Sequence, residues 1–571
     1  MSNGLITIKI GGEAGFGIKV AGATLGKVFL RMGYEVFDYT EYPSLIRGGH
    51  NTFEITIGKK VYSNVRPVNL LIALNQEACD RHLKELSQDA GIIYDPERTK
   101  IRDVGFRLFP VPFGKLLKGI GGSDLMKNTV ALGAALGVLN GRIEGYLDVL
   151  NEIFAKKSQK VVTQNVAAAK TGFDYVKQNF PDSFAYQITP QPKSERIYLT
   201  GNEAVALGAI AGGCRAYFAY PMTPSTSVLV YLARYGPKVG MLVAQPEDEI
   251  SVIGHALGAS FAGVRSMVGT SGGGFSLMVE SLGLAGITET PLVIFLAQRG
   301  GPATGLPTWS EQGDLRFILH AAQGEFPRIV LAPGDQEECF YLTAQALNFA
   351  ERYQMPVFIL SDKNLAEGGK TVPVFDQSLV KIERGEIAAK QDLDGDKQFL
   401  RYRLTESGIS PRVFPGTKGG IYTANSDEHD EYGYSEEGSE NRIKQMNKRM
   451  RKLTSVLKNF PGPALYGKER ADLTIVSWGS TKGPILQALE ELSEASVNFL
   501  HFSHVWPFPT AAAKDRLRRA KKLLVIENNM TGQFDGLIRQ YVGRVPEESL
   551  RKYDGRPFWP EEIVKKVTSL L

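Results

Sequence analysis

Through the middle of this chain, strand-like apolar runs alternate with helical stretches and end in turns rich in glycine, proline and hydroxyls. That recurrence admits few folds. Strands are expected at 216–220, 266–269, 292–296, 329–331 and 357–360, with helices between them. Such alternation builds a parallel α/β sheet, and open sheets of this kind bind ligands at the carboxyl ends of their strands. Three motifs of the region carry chemistry. Tyr220-Pro-Met-Thr-Pro-Ser-Thr226 is a rigid turn bearing hydroxyls, Pro246-Glu-Asp-Glu249 opens a small-residue helix, and Gln298-Arg-Gly-Gly-Pro-Ala-Thr-Gly305 sets an arginine on a glycine loop. Together they suit a small anionic substrate.

The 571 residues exceed what one core supports and imply roughly three or four domains. With 66 basic against 61 acidic residues, the net charge of +5 is too small and too dispersed for a nucleic-acid partner. No apolar run reaches the roughly 18 residues of a membrane span, and the opening residues read as a strand rather than a signal peptide. Cys79, Cys214 and Cys339 lie far apart. They provide neither a disulfide framework nor the four thiolates of an iron–sulfur cluster, and are expected to be reduced and buried in a cytoplasmic protein.

The chain divides into an α/β segment 1–180, a proline-rich linker 181–197, a second α/β segment 198–373, a charged bridge 374–465 and a small α/β segment 466–571. The first segment opens strand–glycine–helix–strand, with strands at 6–10 and 34–38 about a helix at 18–32. The last opens on a strand at 473–478. In the bridge, Asp427-Glu-His-Asp-Glu431 reads as a surface loop rather than a metal site, and the basic helix at 442–452 as a solvated face.

Each motif has an ordinary reading beside the chemical one. Pro221 and Pro224 restrict the backbone on either side of Thr223 and aim its hydroxyl, although Thr or Ser before a helix is commonly a cap. Glu247, Asp248 and Glu249 can serve as dipole-stabilising groups at a helix start. Arg299 offers paired donors matched to a carboxylate, with glycines that let the backbone approach a ligand; alone it is also an ordinary surface arginine. Gly11-Gly-Glu-Ala-Gly-Phe-Gly17, followed by Asp38 at the end of the next strand, invites a dinucleotide reading. Its spacing is nearer Gly-x-x-Gly-x-Gly than Gly-x-Gly-x-x-Gly.

In combination these motifs resemble the 2-oxoacid:ferredoxin oxidoreductases. The central segment is similar to their α subunit. The first resembles their γ domain, including Tyr42-Pro-Ser-Leu-Ile-Arg-Gly-Gly49 and Asn128-Thr-Val-Ala-Leu-Gly133, and Glu527-Asn-Asn-Met-Thr-Gly-Gln533 is similar to their small C-terminal domain. The resemblance implies a multidomain α/β chain in which a thiamine-enzyme pyrimidine-type domain is flanked by a γ-type domain and a transketolase-like C-terminal domain. It implies a fused γ–α subunit that converts a 2-oxoacid, with the fusion pointing to 2-oxoglutarate, into acyl-CoA and carbon dioxide while reducing ferredoxin, with the reverse carboxylation left open.

The family's glutamate against the thiamine aminopyrimidine stands nine residues before the glycine of a Gly-Ala-x-x-Ala-Gly run. Here that glycine is Gly258 and the carboxylate Glu249, with Glu247 as rival. Arg299, Thr223 and Thr304 become substrate-binding residues, and Gly12, Gly15, Gly17 and Arg47 fall on the coenzyme A side. The diphosphate-anchoring Gly-Asp-Gly is missing, so a β subunit is expected to carry the diphosphate, Mg2+ and a [4Fe–4S] cluster in an (αβ)2 assembly. The rival functions are an NAD-dependent dehydrogenase built on the first segment and a non-catalytic scaffold subunit.

Overall fold

The computed structural model describes residues 4–45, 48–102, 105–181, 184–393 and 398–571. They form three sheets with helices packed on them. The first sheet has eight strands. From edge to edge they are Arg107–Pro110, Leu86–Tyr94, Val68–Ala73, Ile6–Glu13, His50–Gly58, Glu35–Glu41, Gly369–Pro373 and Arg196–Thr200. Its first four strands are parallel, whereas His50–Gly58 pairs antiparallel with both Ile6–Glu13 and Glu35–Glu41. The last two strands come from far along the chain and tie the first segment to the second.

This topology removes the dinucleotide reading. A Rossmann unit sets its first two strands side by side and parallel, but His50–Gly58, which the apolar pattern did not announce, lies between them. Asp38 is 2% exposed and accepts a hydrogen bond from the Tyr198 hydroxyl on strand Arg196–Thr200. Burial pushes its carboxyl up to about 7. It is a packed core acid rather than a ribose ligand.

The second sheet follows the expected alternation. Strands Leu242–Ala244, Ala216–Phe218, Ser266–Thr270, Leu292–Gln298, Pro356–Asp362 and Ile329–Leu331 are parallel neighbours in that order. His504–Trp506, from the C-terminal segment, closes the edge antiparallel. Apolar side chains from this sheet and from the five-stranded third sheet share one continuous core that includes Phe275, Phe358, Trp478, Phe502 and Phe534. The described part of the linker, 184–197, is laid against the first layer, where Ile188 is buried and donates its N–H to the Leu139 carbonyl at 2.9 Å.

The bridge departs from its expected character. Helix Ser439–Leu457 buries Gln445, Lys448, Arg449, Lys452 and Val456 on one face instead of presenting a solvated surface. Lys448 and Lys452 each reach the Glu289 carboxylate at 2.5 Å, and Arg449 pairs with Glu428 at 2.7 Å. Within the acidic run 427–431, Asp427 is exposed and Glu428, Asp430 and Glu431 are half-buried, as in a surface loop, whereas His429 is fully buried with its ring 4.0 Å from that of Tyr402. Buried charges survive only when paired, and here the partners come from the second segment and from the bridge itself.

Candidate functional site

Residues at the carboxyl ends of the second sheet's strands assemble the site. Beyond Ala216–Phe218 the chain enters the turn 220–226, where Asn202 holds the Pro224 carbonyl at 2.7 Å and the Ser227 hydroxyl at 2.6 Å. Ser225 precedes helix Thr226–Tyr235 but gives it no side-chain cap; its hydroxyl donates to the Met222 carbonyl at 2.8 Å. The simple cap reading therefore fails for that serine. Beyond Leu292–Gln298, Arg299 is half-buried and its Nη1 donates to the Thr223 carbonyl at 2.8 Å. Thr223 and Arg299, remote in sequence, are thus brought together.

Helix Glu249–Phe261 is capped by Asp248, whose carboxylate accepts from the Ser251 N–H at 2.8 Å. Three neighbouring acids thereby take three environments. Glu247 is exposed, Asp248 is consumed as the cap, and Glu249 is 4% exposed. Its Oε1 is buried and finds no hydrogen-bond partner among the described residues. Loss of water pushes the Glu249 carboxyl above the usual range, and the neighbouring Asp248 adds to the shift.

The carboxylate faces the glycine run that follows Ser266–Thr270. A β-carbon on Gly274 would collide with Glu249 Oε1 and with the Thr270 hydroxyl. The Gly274 N–H points to the Met222 sulfur at 3.2 Å, which links the run to the turn 220–226. On its other side the run opens into a cavity of about 160 Å3 whose wall includes Ser271, Gly272, Gly273, Arg299 and Asp314.

Two acids near Arg299 escaped the sequence reading. Asp314 is pushed up to about 6 by burial, against the pull of Arg299, and Glu311 up to about 7 by burial and the charge of Asp314. The C-terminal segment sets their position. Gln312 donates Nε2 to the Trp478 carbonyl at 2.9 Å and its N–H to the Asn528 carbonyl at 2.7 Å. Asn529 and Gln533 donate to the carbonyls of Gln312 and Gly313 at 3.1 and 2.6 Å. Glu527 organises this clamp, accepting from the N–H groups of Phe534 and Asp535 at 2.8 and 3.0 Å. The only signal in the sequence was the dense run of amides at 527–533, and its partner segment 311–316 could not be read from it.

Not every candidate residue joins the site. Thr304 is exposed in the loop beyond Arg299. Gly12 lies near the end of strand Ile6–Glu13, and Gly15 and Gly17 lie in the turn between it and helix Ile18–Arg31, with φ of 96° at Gly15 and 69° at Gly17. Among the described residues no hydrogen bond or ion pair joins that turn to Thr223, Glu249 or Arg299. Arg47 lies outside the described residues. The first layer nevertheless approaches the site, because the Thr308 hydroxyl donates to the Tyr42 carbonyl at 2.5 Å. Cys79, Cys214 and Cys339 are each buried. No described helix is long and apolar enough to cross a membrane.

Residues 207–448 match the family model described as pyruvate flavodoxin/ferredoxin oxidoreductase, thiamine diphosphate-binding. Residues 7–175 match that of pyruvate ferredoxin/flavodoxin oxidoreductase. Among curated proteins, the 2-oxoacid:ferredoxin oxidoreductase subunit alpha of a Sulfolobus species is 33% identical over 98% of this chain and 96% of its own. The 2-oxoglutarate synthase subunit KorA of Methanothermobacter thermautotrophicus is 32% identical over 66% of this chain and 99% of its own. The solved 2-oxoglutarate:ferredoxin oxidoreductase of Magnetococcus marinus superposes with a TM-score of 0.93 at 34% identity, covering 99% of both chains. A thiamine-type α/β sheet with a buried, unpartnered acid at its carboxyl edge defines the class, and the chain belongs to the 2-oxoacid:ferredoxin oxidoreductase family. Within it the chain is an α subunit, part of a multi-subunit oxidoreductase.

Proposed function

We propose that this subunit holds the aminopyrimidine end of thiamine diphosphate on Glu249 and the carboxylate of 2-oxoglutarate on Arg299. The observation that carries the reading is the orphaned Glu249 Oε1, buried above the glycine run 272–274. The residues fit the group: an unpartnered carboxylate oxygen meets a ring nitrogen that needs an acceptor, and a floor without side chains leaves room for a flat ring. When bound, thiamine diphosphate supplies the carbon nucleophile on which a 2-oxoacid loses its carboxyl group.

The chain's own residues do the rest. Glu249 would accept a hydrogen bond from a protonated ring nitrogen and stabilise the charge there, with water excluded by the packing that raises its pKa. The Thr223 carbonyl fixes the Arg299 guanidinium, leaving its other donors for the substrate. Thr223 and Thr304 flank the substrate, the latter once the Arg299 loop is covered. Gly12, Gly15, Gly17 and Arg47 serve the coenzyme A side of segment 1–180. The pyrimidine-type domain 198–373, the bridge 374–465 and the C-terminal domain 466–571 complete the organisation. The similarity to an enzyme solved with 2-oxoglutarate, coenzyme A and succinyl-CoA supports the substrate pair. A β subunit with the diphosphate site, Mg2+ and a [4Fe–4S] cluster completes an (αβ)2 enzyme that reduces ferredoxin in the cytoplasm.

Glu249→Gln in the two-chain enzyme is the test. It is expected to keep folding and assembly while lowering turnover by about 10²–10⁴-fold or more. A dead Glu247→Gln beside a nearly normal Glu249→Gln would overturn the assignment.

A further inference from the structure

Strands Leu292–Gln298 and Pro356–Asp362 run parallel and adjacent, and their last residues, Gln298 and Asp362, are register partners. Backbones so paired lie about 5 Å apart, and Arg299 and Lys363 are the residues that follow them. Arg299 lines the cavity at the sheet's carboxyl edge, whereas Lys363, 1% exposed, enters the first layer. The Lys363 ammonium donates to the Thr40 carbonyl and lies 4.6 Å from the centre of the Tyr39 ring and 5.6 Å from that of Tyr42. Tyr42 donates its hydroxyl to the Glu367 carboxylate at 2.8 Å, and its carbonyl accepts from the Thr308 hydroxyl at 2.5 Å. Thr308 belongs to the loop that follows Arg299. Two residues on, the Ser310 hydroxyl donates to the Asp362 carboxylate at 3.2 Å. Residues 39–42 are therefore held at one point by Lys363 and at another by the Arg299 loop.

Burial pulls the Lys363 ammonium below its usual range, against the opposing effect of Glu367, Glu41 and Asp38. An apolar side chain of similar length would avoid that desolvation. What lysine supplies is a directed bond, because the Thr40 carbonyl and two tyrosine rings fix one place for it. That position is passed on through paired strands. Thr40 lies on Glu35–Glu41, which pairs with His50–Gly58, and that strand pairs with Ile6–Glu13. The Ala14 N–H reaches the Gly49 carbonyl at 3.0 Å, so the glycine turn is carried by the same frame.

We infer that Lys363 is a positioning residue that sets the coenzyme A side of the first layer against the Arg299 loop, and so fixes the path by which coenzyme A reaches the 2-oxoacid site. The inference rests on the proposed assignment of coenzyme A to segment 1–180 and of the 2-oxoacid to Arg299.

The two-chain enzyme tests this through its two substrates separately. Its kcat/KM for 2-oxoglutarate reports the steps through loss of carbon dioxide, and that for coenzyme A the capture of the acyl group. Lys363→Met is expected to lower kcat/KM for coenzyme A by about 10-fold or more, as for a misplacement of order an ångström, while that for 2-oxoglutarate stays within about twofold. Thr308→Val, which removes the neighbouring tie to Tyr42, should show the same split. Absence of a split between the two constants, whether or not the unfolding midpoint falls, would leave Lys363 a structural group and overturn the inference. If Lys363→Met does not assemble, Thr308→Val decides alone. A wild type whose turnover is independent of coenzyme A would overturn the assignment of that substrate, and the inference with it.

Discussion

The carboxylate of Glu249 fills the space that a side chain on Gly274 would occupy. The two residues belong to different strand-to-helix connections, so the acid's position is set by the absence of an atom on its neighbour. Gly274 has no left-handed backbone angle to explain it; close approach does.

Gly274→Ala is therefore expected to displace the Glu249 carboxylate and the Thr270 hydroxyl with little loss of fold. Turnover should fall by about 10²-fold or more, approaching the Glu249→Gln variant, while the thermal midpoint moves by only a few degrees. Steady-state rates and unfolding curves of the two variants, measured side by side, check this. Wild-type turnover in Gly274→Ala would mean that the carboxylate's position does not matter.

The acids beside Arg299 give the enzyme a pH signature. Burial holds the Asp314 carboxyl up at about 6, so that at lower pH it is neutral and, in the proposed role of Arg299, leaves that charge whole for the substrate. As pH rises through 6 the ionised carboxylate competes for the guanidinium, so KM for the 2-oxoacid should climb, and Asp314→Asn should flatten that rise. Glu311 bears on stability. Its folded value, about 7, lies above its ordinary 4.5, so the native state binds more protons across that window. Its contribution to stability is fully present below 4.5 and is lost as pH rises through 7. Glu311→Gln should remove this slope from the unfolding midpoint measured between those values.

Gln312 is the keystone of the clamp between the second and third sheets, since its side chain and backbone both bond to residues 478, 528 and 529. Gln312→Ala leaves buried partners unmet and should cost about 1–3 kcal/mol in chemical denaturation. Because residues 311–316 carry Asp314, KM should rise as well. Lost stability with unchanged KM would confine the clamp to a structural role.

The strands of the second sheet and the motifs at their carboxyl ends were legible, because parallel buried strands read as short apolar runs and their connections need glycine, proline and hydroxyls. Glu249 was legible as one of three acids, but only packing separates it from the exposed Glu247 and the capping Asp248. His50–Gly58 was not, because its polar residues are buried within a sheet covered on both faces. Nor was the buried face of Ser439–Leu457, whose stripe is charged and whose acid, Glu289, lies far away in sequence. Long-range polar pairs leave no local period. Asp314 went unnoticed for the same reason, since what marks it is burial beside Arg299.

Substrate choice follows from what Arg299 does and does not read. In the proposed role it engages the carboxylate beside the oxo group, which every 2-oxoacid has, while the Thr223 carbonyl holds one edge of its fork. Lysine offers a point charge in place of that fork and has no second donor held in plane. Arg299→Lys should therefore raise KM for 2-oxoglutarate, pyruvate and branched 2-oxoacids alike, by roughly 10–100-fold, the loss expected for a charge-assisted hydrogen bond. Preference among the three must come from elsewhere, through groups that meet the distal carboxylate, and should survive the substitution. With the reconstituted two-chain enzyme and ferredoxin, kcat/KM is expected to favour 2-oxoglutarate in both the wild type and the variant. A clear preference for pyruvate in the wild type would overturn the substrate while leaving the enzyme class intact. A variant that lost only 2-oxoglutarate would show that Arg299 reads the distal carboxylate instead.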